Sequence, residues 1–146
     1  MSGGSDKVRL AYDGPIAVIT NDNPDKRNAF DDAMDQRLWE ILAELRTRPD
    51  VRAVIWRGEG KAFSSGRDVG AIGGGGVELT HHELMSRGHR GVQQIFDLDA
   101  PIIVAIQGWA IGASFQRATI GTCRKNSTAR SPASPRARTA RGFTTR

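Results

Sequence analysis

Residues 100–116 read APIIVAIQGWAIGASFQ. Pro101 opens an apolar run from Ile102 to Ile106 that predicts a buried strand, and GWAIGASFQ then turns from that strand into a helix. A strand that ends in a glycine turn and opens a helix leaves backbone N–H groups unpaired at the mouth of a crevice. That geometry suits oxyanions and phosphates. A second loop of the same kind, GEGKAFSSGRDVG at 58–70, follows the predicted strand VRAVIWRG at 51–58. Either loop alone reads as glycines that let strand and helix pack closely. Neither matches the phosphate-loop pattern G-x-x-x-x-G-K-[ST], and GWAIGA is a poor dinucleotide fingerprint.

Toward the N-terminus, VRLAYDGPIAVIT predicts a hairpin: Val8, Leu10, Ile16 and Val18 alternate in part about an Asp13-Gly14-Pro15 turn. After the polar turn NDNPDKRN, Asp31 is placed to cap a helix with apolar positions Met34, Leu38, Ile41, Leu42 and Leu45, which stops before Pro49. The strand at 51–58 has a nearly continuous apolar centre, which predicts burial on both faces. Beyond its loop comes the glycine run Gly73–Gly76. A second helix is then expected over about 80 to 97, capped by Thr80, with Gly88 and Gly91 as weak points in its middle. The order is ββαβ, then αβα: an α/β chain.

Three stretches together resemble the crotonase superfamily, the enoyl-CoA hydratase and isomerase group. NDNPDKRNAF at 21–30 is similar to its N-x-P-x-x-x-N-A motif. RPDVRAVIWRGEGKAFSSGRDV at 48–69 is similar to its D-x-x-V strand followed by AF-x-x-G-x-D, and APIIVAIQGWAIGAS at 100–114 to its K-P-x-I-A-x-x-x-G-x-A-x-G-G-G element. The resemblance covers about residues 7–117. It implies a crotonase-like ββα spiral core, incomplete here, between a flexible N-terminus (1–6) and a disordered basic tail (118–146).

Crotonases bind acyl-CoA thioesters and stabilise an enolate-like oxyanion with two backbone N–H groups. The resemblance assigns those donors to the amides of Arg67 and Ala113, with Gly66 and Gly112 providing close backbone approach. It sets Lys26, Asn28 and Ala29 beside the CoA, and Ala62, Ser64, Ser65, Asp68, Val69 and Gly70 around its thioester end. Trp39, Trp56 and Trp109 read as packing residues, with Trp109 also a candidate to lie near the acyl chain. Lys26 alone also reads as a solvated charge, and Asp68 as a brace for its loop. No cofactor beyond the coenzyme A of the substrate is implied, and no metal. Family members form trimers or hexamers through a C-terminal region that has no counterpart in these residues.

The departures bear on the reaction. A hydratase needs two carboxylates to move water and a proton across the α,β double bond. The first falls at Gln116, whose amide is neither acid nor base. The second belongs to a downstream Pro-Glu motif, and there is no Asp or Glu after Asp99. Other proton carriers are thin. His81, His82 and His89 read as solvated, Glu78 and Glu83 as weak candidates for a base, Asp97 and Asp99 as the end of a helix, and Ser64 and Ser65 lack a base partner. Lineage therefore reads as a CoA-thioester enzyme working by oxyanion stabilisation, and the chain itself as weakly active or inactive. The alternative is a non-catalytic fragment or binding module with a basic tail.

Charge separates the two parts. Residues 1–116 carry 13 Lys and Arg against 16 Asp and Glu, a net of −3, so the overall +5 comes from the eight basic residues of 117–146. That tail, rich in Arg, Ser, Thr, Ala and Pro, cannot bury enough apolar surface to offset chain entropy. It has no aromatic interleaving beyond Phe143, so no specific nucleic-acid partner is expected. Its bias is what an out-of-frame reading of a GC-rich gene gives. A core lacking further elements is expected to expose sheet surface and a helix face. The single Cys123 excludes an internal disulfide, no stretch of 18 apolar residues occurs, and MSGGSDKVRL lacks the apolar run of a signal peptide; a reducing cytoplasm is expected.

Overall fold

The computed structural model describes residues 6–71 and 80–121. The glycine run at 73–76, Glu78, Cys123 and the tail from 122 onward lie outside the described residues, as do the side chains of His81, Leu84 and Met85. Strands β1 (Val8–Asp13) and β2 (Ile16–Asn21) form the hairpin. Helix α1 (Asp32–Arg46) leads to β3 (Ala53–Gly58), α2 (His81–Phe96) to β4 (Ile102–Ala105), and α3 (Ala113–Gly121) follows. One sheet runs in the order β1-β2-β3-β4, antiparallel within the hairpin and parallel from β2 to β4.

The helix starts follow from local chemistry. Asp31 adopts an extended backbone and its Oδ1 accepts from Met34 N at 2.8 Å, satisfying one of the free first-turn amides of α1. Met34, Leu38, Ile41, Leu42 and Leu45 then bury along one stripe. Thr80 caps α2 in a reciprocal capping box with Glu83. Glu83 Oε2 accepts from the Thr80 hydroxyl and amide, which holds its carboxyl below the usual range. Glu83 is therefore a cap, and the lowered pKa makes it a poorer base.

The core is layered on one sheet face. Register sets Ala17 beside Val54 and Ile102, and Ile19 beside Trp56 and Val104; the stripe of α1, Ile95 of α2 and Ala118 of α3 join them. In the hairpin the core residues are Val8, Ala17 and Ile19, while Ile16 and Val18 lie half-buried on the opposite face. The expected burial of β3 on both faces does not hold. Val54 and Trp56 are buried, Ile55 is half-buried and Arg57 is exposed. On β4 Ile103 is 55% exposed. An apolar run reports affinity for a core, whereas among the described residues the helices pack on one face of the sheet. Ile106, Trp109, Ile111 and Phe115, in the turn after β4 and at the start of α3, are exposed as well.

Trp56 packs edge-on against Phe63 with centroids 5.6 Å apart. The two glycines of α2 differ. A Cβ on Gly91 would lie 2.4 Å from Trp39 Nε1, so this glycine lets α2 approach α1, whereas Gly88 has nothing within 4 Å. Gly88→Ala is therefore expected to stabilise the chain by about 0.5–1 kcal/mol through helix propensity, and Gly91→Ala to destabilise it by about 1–3 kcal/mol through overpacking. Urea denaturation of the two variants side by side checks the opposite signs. Helix α3 continues to Gly121, whose absent Cβ makes room for Val104 Cγ2. No described helix is long and apolar enough to cross a membrane.

Candidate functional site

Residues 62–68 run as an extended segment between two other backbone stretches. On one side Phe30 N donates to Gly66 O (2.8 Å) and Asp68 N to Phe30 O (2.9 Å), while Ser65 N donates to Arg27 O (2.9 Å). On the other, Phe63 N donates to Gln107 O (2.8 Å), Ser64 N to Trp109 O (2.9 Å) and Ile111 N to Ser64 O (3.2 Å). Phe30 thus spends both its backbone groups on the residues flanking Arg67, a parallel bridge in which the middle residue's own groups point the opposite way. Arg67 N–H faces away from Phe30 and donates no hydrogen bond among the described residues.

The 108–113 turn closes against this segment at Gly66. A Cβ there would stand 2.8 Å from Ile111 O and 3.9 Å from Gly112 Cα. Ala113 is the first residue of α3, so its amide has no acceptor within the helix. The next amides turn back instead: Ser114 N donates to Ile111 O, and Phe115 N to Gly112 O. The sequence pairs Gly66 and Gly112 as two close-approach glycines, but they differ. Gly66 has φ +94° and a crowded Cβ position. Gly112 has φ +59° and nothing within 4 Å, so it is required by the turn's conformation alone.

Side chains clamp the segment from beneath. Ser64, fully buried, donates to Asn28 O (2.6 Å) and lies 2.7 Å from Ser114 Oγ, while Gly66 N donates to Ser64 Oγ (3.2 Å). Asn28, also fully buried, gives Nδ2 to Glu59 O (2.9 Å) and Ala62 O (2.7 Å), and its Oδ1 accepts from Asn23 N (2.7 Å). Both side chains spend their hydrogen bonds on the site's backbone, so their part in the site is to hold the segment in place. Ala29 and Ala62 are buried too. Asp35, Arg117 and Ser114 join this framework, although the sequence motifs do not single them out. A carboxylate directly beside Met34, on the buried side of a helix, was the available signal for Asp35.

The sequence profile of the enoyl-CoA hydratase/isomerase family matches residues 12–122. The chain belongs to this family. It is 35% identical over 119 residues to the "Probable enoyl-CoA hydratase EchA14" of Mycobacterium tuberculosis, covering 82% of this chain and 46% of the relative. It is 38% identical over 115 residues to a carnitinyl-CoA dehydratase of Salmonella enteritidis, covering 78% and 43%. A solved enoyl-CoA hydratase of Mycobacterium smegmatis superposes with a TM-score of 0.74 at 26% identity, over 80% of this chain and 46% of that one. The chain thus spans less than half the length of the curated relatives it matches.

Within this crotonase framework the remaining predicted residues separate. Lys26 Nζ pairs with Asp68 Oδ2 at 2.7 Å, and Asp68 Oδ1 accepts from Gly70 N at 3.1 Å. The Lys26 ammonium holds the Asp68 carboxyl below its usual range, and both residues brace the loop. Ser65 donates to Lys26 O (3.3 Å). Val69 is exposed at 78% and Trp109 at 57%, so Trp109 is a surface group, with the Arg27 guanidinium 5.9 Å from its ring centre. Gln116 is exposed on the first turn of α3, three residues past Ala113. His82 and His89 are exposed on α2, and no three His, Cys, Asp or Glu among the described residues form a metal-holding group.

Proposed function

We propose that this chain carries the acyl-CoA thioester site of a crotonase-type enzyme, with the amides of Arg67 and Ala113 as donors to the thioester oxygen. The observation that carries this reading is the contact of Gly66 with Ile111 and Gly112. It brings together two turns, each with an amide that no described acceptor uses. Two preorganised N–H groups favour the form of the thioester that bears negative charge on oxygen, because they need no reorganisation as that charge grows. Trp109, Val69 and Phe115, exposed around these turns, supply apolar surface for the acyl and pantetheine portions.

The same residues limit the reaction. Gln116 stands where the family resemblance sets a glutamate, and an amide can hold a water or an oxygen by hydrogen bonds but cannot take or return its proton. The chain polarises an enoyl thioester without hydrating it. Titration of the full 146-residue chain with butyryl-CoA, followed by calorimetry, is expected to show saturable binding, and crotonyl-CoA is expected to lose its enoyl absorbance no faster than in buffer. Absence of butyryl-CoA binding would overturn the thioester site. Hydration well above the blank would overturn the reading of Gln116.

A further inference from the structure

The two amides sit on different elements, one in the 62–68 segment and one at the start of α3, and a single buried carboxylate ties those elements together. Asp35, 6% exposed on α1, meets Arg67 Nη1 through Oδ2 at 2.7 Å and Arg117 Nη2 through Oδ1 at 2.8 Å. The second contact is ionic without good hydrogen-bond direction, since Oδ1 accepts no hydrogen bond. Arg67 also binds Asp32 through its other nitrogen, and Arg87 of α2 reaches the same Asp32 at 3.7 Å. Arg117 is 9% exposed, lies one helical turn beyond Ala113, and stacks over Phe30 at 5.0 Å. Phe30 is the residue whose backbone brackets Arg67.

We propose that Asp35 and Arg117 are positioning residues that set the spacing of the Arg67 and Ala113 amides through the Arg67–Asp35–Arg117 bridge. This rests on the thioester-site reading above. Two guanidinium groups held about one carboxylate repel each other once that carboxylate loses its charge. Arg67 belongs to the 62–68 segment and Arg117 to α3, so that repulsion acts between the two elements that carry the donors. Burial works against the charged form of Arg67, but its hydrogen bond to Asp32 and the nearby charges of Asp35 and Asp32 outweigh that and hold its pKa above the usual value. Two donors converging on one oxygen tolerate little displacement, because hydrogen bonds weaken steeply with distance and angle.

The test uses 2,4-hexadienoyl-CoA, whose absorption band moves to longer wavelength as its thioester carbonyl is polarised. The full chain is compared with Asp35→Asn, Arg117→Met and Arg117→Lys, each confirmed as folded by far-ultraviolet circular dichroism. Arg117→Met keeps the volume of the side chain and leaves Asp35 paired with Arg67, so it carries the test if Asp35→Asn fails to fold. The unaltered chain is expected to shift the band on binding. Arg117→Met is expected to lose most of that shift and to bind about tenfold more weakly, and Arg117→Lys, which keeps a charge facing Asp35, to recover part of both. A full shift in Arg117→Met overturns the positioning role and leaves the thioester site standing. Binding without any shift in the unaltered chain overturns the donor assignment itself, and the positioning role with it.

Discussion

Gly66→Ala is expected to lower stability by about 3 kcal/mol or more and to abolish butyryl-CoA binding in the full chain. Two costs add. The backbone of residue 66 sits at φ +94°, which a residue with a Cβ occupies only at a cost of roughly 1–3 kcal/mol. The new methyl would also stand 2.8 Å from Ile111 O, a backbone atom pinned by the hydrogen bonds between Ser64 and residues 109 and 111. A flexible side chain could yield there, but a paired carbonyl cannot without moving its turn, so a further cost of about 1–3 kcal/mol is expected. The displacement separates the two turns whose amides face the proposed oxyanion. Gly112→Ala is the control: φ is +59° and the Cβ meets nothing, so it is expected to cost only about 1–2 kcal/mol and to leave measurable binding. Urea denaturation and calorimetric titration of both variants check this. Equal losses at the two positions would mean that close approach at Gly66 is not what joins the turns.

The elements written in local chemistry were legible in the sequence. The Asp31 cap, the stripe from Met34 to Leu45, the Thr80 start of α2 and the strand entered through Pro101 each depend on residues within one or two turns of each other. The structure has them where the spacing sets them. Burial depends on what lies opposite. For that reason β3 and β4 read as fully buried, while Ile103 and Arg57 face outward. The same limit applies within the site. The glycine turns were visible as turns, but the buried state of Asn28 and Ser64 was not, because their partners lie in segments brought together only by folding. Asp35 and Arg117 were hidden more deeply. Each reads alone as a charged residue on a helix, and their meaning lies in pairing with one another and with Arg67 across three elements. Trp109 shows the converse. A tryptophan carries a strong expectation of packing, yet this one lies at the rim, stacked by Arg27 and open to solvent.

The second large effect is expected at Asn28. Asn28→Ala should destabilise the chain by about 3 kcal/mol, because it removes a buried side chain whose hydrogen bonds all go to backbone. Three backbone groups lose their partner at once: the carbonyls of Glu59 and Ala62 and the amide of Asn23. A buried polar group left unpaired costs about 1–3 kcal/mol, and part of that is recovered where Glu59, nearer the surface, can reach water. Asn28 also holds φ +55°, a conformation asparagine tolerates better than alanine, which adds a smaller cost. Asn28→Asp distinguishes the donor's role from the shape of the side chain. It keeps an oxygen for Asn23 N but points a carboxylate at the two carbonyls that Nδ2 now serves, so at pH 7 it is expected to be at least as damaging as alanine. As pH falls and the carboxyl gains a proton it can donate to one carbonyl, and the deficit relative to the unaltered chain should narrow. Urea denaturation of both variants at pH 7 and pH 5 tests this. An aspartate variant as stable as the parent at pH 7 would show that the Nδ2 bonds contribute little, and that the 62–68 segment is held in place by its backbone pairing alone.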